Sequence, residues 1–163
     1  MNESDSTPVR PNLRDPVQLL AFGFGSGLAP VAPGTAGTIA AIPIYLLFAE
    51  LPLLLYAGLV LLATAAGIWL CGRASDALGV HDHGGIVWDE FVGLWITLFA
   101  VPFEWPWILL GFLFFRLYDI AKPWPVSWLD RQVAGGLGIM ADDVVAGLMA
   151  CLSLHLVIRL VGP

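Results

Sequence analysis

The chain has 163 residues, 58% of them hydrophobic and 12% charged, with a formal charge of −6. Ordinary soluble domains carry about 25% charged residues, so this composition, with a mean hydropathy of +0.83, speaks for a membrane protein of one domain. The acidic balance argues against a nucleic-acid partner and says little about anionic lipid, where local Lys and Arg placement matters more.

Residues 1–18 read as a polar, mobile lead-in without the basic-then-apolar layout of a signal peptide. Residues 19–163 read as a single membrane-embedded domain. Its first stretch, Leu19 to Thr38, holds five glycines and two prolines and cannot form a regular span. Its backbone must turn, and glycine lets main-chain N–H groups approach a ligand. The hydroxyls of Ser26, Thr35 and Thr38 suit a phosphate cradle, with Thr38 placed to cap the helix that follows. No G-K-[ST] follows, so this is not a Walker loop. A plain turn with close helix packing accounts for the same residues.

Ile39–Glu50 and Leu53–Gly72 read as a helical hairpin turning around Pro52, with the first helix short or re-entrant. The polar stretch Arg73 to Asp89 contains His81, Asp82 and His83, read as a solvated loop in preference to a metal site. Asp89 and Glu90 open the next apolar run. There they either decorate the positive end of a helix or ligate a metal. Glu90–Val101 and Trp105–Tyr118, joined by P-F-E-W-P, form a second hairpin, and Asp142–Leu160 forms a fifth apolar segment. His155 lies inside that last segment and is given no role. Cys71 and Cys151, in apolar surroundings without a CxxC partner, read as small buried hydrophobes.

The expected fold is therefore all-α and polytopic, with four to five apolar helices in two hairpins plus a C-terminal helix. If each hairpin crosses and returns, residues 19–38, 73–89 and 119–142 share one side of the membrane. Arg10, Arg14, Arg73, Arg116, Lys122 and Arg131 fall on that side, and only Arg159 on the other. The positive-inside rule makes it cytoplasmic. Seven ionisable residues, Arg116, Asp119, Lys122, Asp130, Arg131, Asp142 and Asp143, fall within one stretch flanked by apolar segments. Ionised groups at an apolar boundary need partners, water or a metal. Clustered carboxylates repel one another without a cation, Mg²⁺ takes oxygen ligands and engages phosphates, and Lys and Arg offset phosphate charge.

Four ordered motifs carry a resemblance. G-x-x-P-x-A-P-G-T-x-G-T (Gly27 to Thr38), I-V-W-D-E-x-x-G (Ile86 to Gly93), F-R-x-Y-D-I-x-K-P-W-P (Phe115 to Pro125) and G-I-M-A-D-D-V-x-A-G (Gly138 to Gly147) resemble the phosphatidylglycerophosphatase A family. The resemblance runs from about Leu19 to Leu160. It implies Mg²⁺-dependent hydrolysis of phosphatidylglycerophosphate to phosphatidylglycerol and phosphate, at the cytoplasmic face of a bacterial inner membrane. On that basis Asp89, Glu90, Asp142 and Asp143 are metal ligands, not all of them necessarily direct. Asp119 is a further ligand or the base that orients water, and Lys122 binds phosphate with Arg116 in support. Gly34, Thr35 and Thr38 supply the cradle. Asp119, Lys122 and Asp143 form the catalytic set. Asp142 and Asp143 are expected at the water-exposed start of the last helix, in different roles.

The partners implied are a phospholipid substrate and the membrane, with homo-oligomerisation left open. Two alternatives stay beside this reading: a phosphatidyltransferase, whose D-G-x-x-A-R pattern is absent, and a non-enzymatic membrane protein such as a transporter subunit. The D-x-D-x-[TV], C-x5-R, K-x6-R-P and S-G-H signatures of other phosphatases are absent too.

Overall fold

The computed structural model describes residues 10–80 and 83–161, and those residues form helices and no strand. The first half of the lead-in (1–9) and the pair His81-Asp82 lie outside the described residues.

Asp15 accepts a hydrogen bond from the Val17 N–H and caps α1 (Pro16–Ala21). A 3-10 stretch over Gly23–Leu28 then kinks through Phe24 and Gly25, both at positive φ. Ala32, also left-handed, hands the chain to α2 (Pro33–Phe48), where proline takes the first helical position. The helix thus starts before Ile39, and Thr38 lies inside it and caps nothing.

α3 (Leu53–Leu78) extends past the expected end at Gly72 and stops at Gly79 in the left-handed region. α4 (Trp88–Thr97) opens with Asp89 and Glu90 in its first turn, as expected. α5 (Trp105–Ala121) ends at Lys122, whose φ of 41° closes the helix. A short helix that the sequence reading lacks, α6 (Val126–Gln132), lies within the polar stretch.

α7 (Gly135–Val161) begins a full two turns earlier than expected, so Asp142 and Asp143 do not sit at a helix start. Both are buried, at 8% and 3% exposure. Packing explains the early start. A Cβ at Gly136 would collide with the Ile68 carbonyl and the Gly72 backbone of α3. Contact with α3 therefore outweighs the poor helix propensity of the glycines.

α7 is the central helix and packs against α3, α4, α5 and α6. α4 and α7 meet backbone to backbone: a Cβ on Gly147 would stand 2.6 Å from the Gly93 carbonyl oxygen. That close approach draws the first turn of α4 against the acidic part of α7. At the far end Phe48, Tyr56, Trp95 and Phe99 form an aromatic cluster. Tyr56 donates to the Trp95 carbonyl at 2.6 Å, Trp95 Nε1 to the Ala41 carbonyl at 3.1 Å, and His155 Nε2 lies 2.9 Å from the Phe99 carbonyl oxygen. His155 thus braces a turn remote from the acidic residues. Cys71 is fully buried beside Met140, and Cys151 is half-buried; neither forms a disulfide.

Of the five apolar segments expected, two form helices long and apolar enough to cross a membrane, α3 and α7. Only 22% of the most apolar window of each is buried, which is unlike the core helix of a soluble protein. Leu54, Leu62, Leu109, Leu113, Leu152 and Leu160 are all more than half exposed. An apolar surface of this extent marks a membrane-associated protein.

Candidate active site

The starts of α2 and α4, the end of α5 and the first third of α7 converge on one pocket of about 310 Å³. Its walls are Ala32, Pro33, Gly34, Gly84, Ile86, Asp89, Glu90, Arg116, Asp119, Lys122, Asp142 and Asp143. Eight residues assigned from sequence thus stand together: Gly34, Asp89, Glu90, Arg116, Asp119, Lys122, Asp142 and Asp143. Thr35 and Thr38 are not in the lining. Thr38 is fully buried behind it, its hydroxyl 2.9 Å from the Gly34 carbonyl oxygen and 2.8 Å from Glu90 Oε2.

Two ion-pair systems order the pocket. Arg116 pairs with Glu90 and, one helical turn on, with Asp119 at 2.8 Å. Glu90 is nearly buried, and Gly34 leaves the room it needs, since a Cβ there would collide with its carboxylate. The Nε of Arg116 is buried and has no hydrogen-bond partner among the described residues. In the second system Lys122 donates to Asp130 of α6 and to Asp142 Oδ2 at 3.0 Å. Burial alone would lower the Lys122 pKa, but the hydrogen bonds and charges of the two aspartates outweigh it and leave the ammonium above its ordinary value.

Asp143 sits deepest, with Glu90, Asp89, Asp119 and Asp142 all close enough to repel its charge. Five carboxylates and two cations line the pocket, a formal excess of three negative charges. A set of oxygen donors without Cys or His suits a hard divalent cation. Two of the residues assigned as ligands, Glu90 and Asp142, are held by Arg116 and Lys122. Among the described residues no three Asp, Glu, His or Cys side chains are grouped closely enough to hold a metal ion.

The structure adds residues that sequence reasoning missed. Ala32 turns the chain into the pocket through a left-handed conformation, and Gly84 and Ile86 bring in the loop before α4. The Gly84-Gly85 pair was the available signal, because a side chain at Gly85 would strike Phe22 and the Gly27 carbonyl. His83 belongs to this loop as a brace: its ring rests on Phe22, and Nδ1 accepts from the Gly85 N–H at 3.0 Å.

The family model described as phosphatidylglycerophosphatase A matches residues 19–158, a span that holds every residue of the pocket. The chain belongs to the phosphatidylglycerophosphatase A family. A phosphatidylglycerophosphatase A from Escherichia coli is 51% identical over 147 residues, covering 90% of this chain and 86% of that protein. One from Haemophilus influenzae is 44% identical over 153 residues, covering 90% of this chain and 92% of that protein. No solved structure matches the chain. Membership of the phosphatidylglycerophosphatase A family makes the chain an enzyme, a phosphatase.

Proposed function

We propose that the protein is a Mg²⁺-dependent membrane phosphatase that hydrolyses the phosphomonoester of phosphatidylglycerophosphate, yielding phosphatidylglycerol and phosphate. The observation that carries the reading is the charge of the pocket. Three carboxylates in excess would repel a phosphate dianion, so the site needs added positive charge before it can take that substrate. Asp89, Glu90, Asp142 and Asp143 are the residues that would hold Mg²⁺, drawing closer around the ion than they stand here, and the ion when bound neutralises phosphate charge.

The protein's own groups do the rest. Lys122 binds phosphoryl oxygens as a point charge, with the Arg116 guanidinium beside it. The first-turn N–H of α2 at Gly34, in the pocket wall, has no acceptor within the helix and offers a contact for an anion, with the Thr35 N–H next to it just outside the lining. Thr38 acts from behind, holding Glu90 in place. Asp119 orients the attacking water and takes its proton, while its contact with Arg116 fixes its position. Cleaving a phosphomonoester depends chiefly on such positioning and charge neutralisation.

The pocket opens at the ends of helices whose exposed faces are apolar, which leaves a head group level with it while acyl chains remain in lipid. α3 and α7 cross the bilayer in this reading, and α2, α4 and α5 pack around them as shorter segments. The pocket faces the cytoplasm of a bacterial inner membrane, because six of the seven cationic residues gather at that end. The test is phosphate release by purified protein in mixed micelles, with Mg²⁺ and with chelator. Turnover of phosphatidylglycerophosphate that needs Mg²⁺, with phosphatidylglycerol left intact, supports the reading. Equal turnover of both lipids sinks it.

A further inference from the structure

Lys122 is the one lysine in the chain. Its ammonium is shared between two carboxylates that differ in kind. Asp142 lines the pocket, and its side chain is 11% exposed. Asp130 comes from α6, stands outside the lining and is 35% exposed. The neighbouring Arg131 is turned away, its Nε donating to the Ser127 carbonyl at 2.8 Å.

A lysine already neutralised by two carboxylates binds an incoming phosphate only if one of them gives way. Asp142 is the costly one to release, since a buried carboxylate left without its partner loses both water and counter-charge. Asp130 reaches solvent and exchanges its partner for water at small cost. The exchange also depends on ligand charge. A dianion replacing one carboxylate gains attraction. A monoanion gains none, and it competes with a carboxylate tethered at high effective concentration.

We propose that Asp130 is a specificity-determining counter-ion, which holds the Lys122 ammonium until a dianionic phosphomonoester displaces it and thereby keeps monoanionic phosphodiesters out. The inference rests on the reading of this pocket as a phosphomonoester site. It assigns to α6 the rejection of the diester lipids that surround the enzyme, its own product among them.

The experiment uses the full chain in detergent with Mg²⁺ at about pH 8, where a phosphomonoester is dianionic. With 13C-labelled lysine incorporated, Lys122 gives the chain's one lysine side-chain NMR signal, and protection is read as the saturable shift of that signal when a probe takes the ammonium. Glycerol phosphate is the monoester probe and glycerophosphoglycerol the diester probe. In the unmodified protein the monoester protects Lys122 and the diester does not. In Asp130→Asn the diester protects as well, and the monoester half-protects at a concentration about twofold to fivefold lower, the scale of one partly exposed ion pair. Asp130→Glu restores the discrimination, which a loss of folding would not allow. Added phosphatidylglycerol should then inhibit Asp130→Asn more strongly than the parent enzyme. Protection by the monoester in both proteins and by the diester in neither overturns the role of Asp130 alone. Diester protection already present in the unmodified protein overturns it too. Protection by neither probe in either protein overturns the phosphomonoester reading of the pocket itself.

Discussion

Arg116 of α5 and Glu90 of α4 form an ion pair at the back of the pocket, with side chains only 12% and 9% exposed. The pair ties two helices together and, through Thr38 and Gly34, fixes the start of α2. Removing one partner strands a charge where water hardly reaches. Arg116→Met should cost about 3–5 kcal/mol of stability, seen as a lower unfolding midpoint in detergent. Arg116→Met combined with Glu90→Gln should unfold at a higher temperature than Arg116→Met alone. If the two variants melt together, the pair is not what holds these helices.

Asp143 carries the opposite balance. Four carboxylates repel it, so Asp143→Asn should stabilise the protein in chelator while abolishing phosphate release. The unmodified protein should gain stability on adding Mg²⁺, by about 2.7 kcal/mol when the ion is at a hundred times its dissociation constant. The variant should lose most of that gain. An unchanged Mg²⁺-dependent shift in melting temperature would remove Asp143 from the metal site.

Thr38 bonds its neighbours without touching the pocket. Thr38→Val keeps the shape and leaves Glu90 and the Gly34 carbonyl one donor short, at a cost of about 1–3 kcal/mol. Thr38→Ser should restore most of the stability and activity. A valine variant with full activity and an unchanged melting temperature would reduce Thr38 to a packing residue.

Topology is open to direct labelling. In a background lacking Cys71 and Cys151, cysteine at Ala77 or Ala134, both exposed at the pocket end, should resist an impermeant thiol reagent applied to intact cells. Cysteine at Glu50 or Glu104, exposed in the turns at the other end, should react. The reverse pattern would invert the protein in the membrane.

Much of the site was legible in the chain because its chemistry is local. Asp89-Glu90 at the head of an apolar run, the R-x-Y-D-I-x-K segment and the Asp142-Asp143 pair each stand out as charge against an apolar background. The hairpin logic brought them to one end without knowledge of any contact. The apolar faces that stay exposed, and with them the membrane association, follow from composition. Helix limits were less legible where glycine was involved. Gly135, Gly136 and Gly138 read as a loop by propensity, yet α7 runs through them, and at Gly136 the backbone of α3 lies too close for any side chain.

Partnership is what only the tertiary structure decided. Six carboxylates and two cations in sequence do not say who pairs with whom. Arg116 takes Glu90 and Asp119, Lys122 takes Asp130 and Asp142, Asp89 accepts from the Glu90 N–H, and Asp143 sits among the carboxylates within electrostatic reach of Arg116. Nor does the sequence tell Thr38, buried and turned to Glu90, from a hydroxyl that faces a ligand. The physical reason is range. Hydropathy and charge patterns report how each segment meets solvent or lipid, one turn at a time. Ion pairs and hydrogen bonds depend on separations of about 3 Å between residues tens of positions apart, and those are set only when α4 closes on α7 at Gly93 and Gly147.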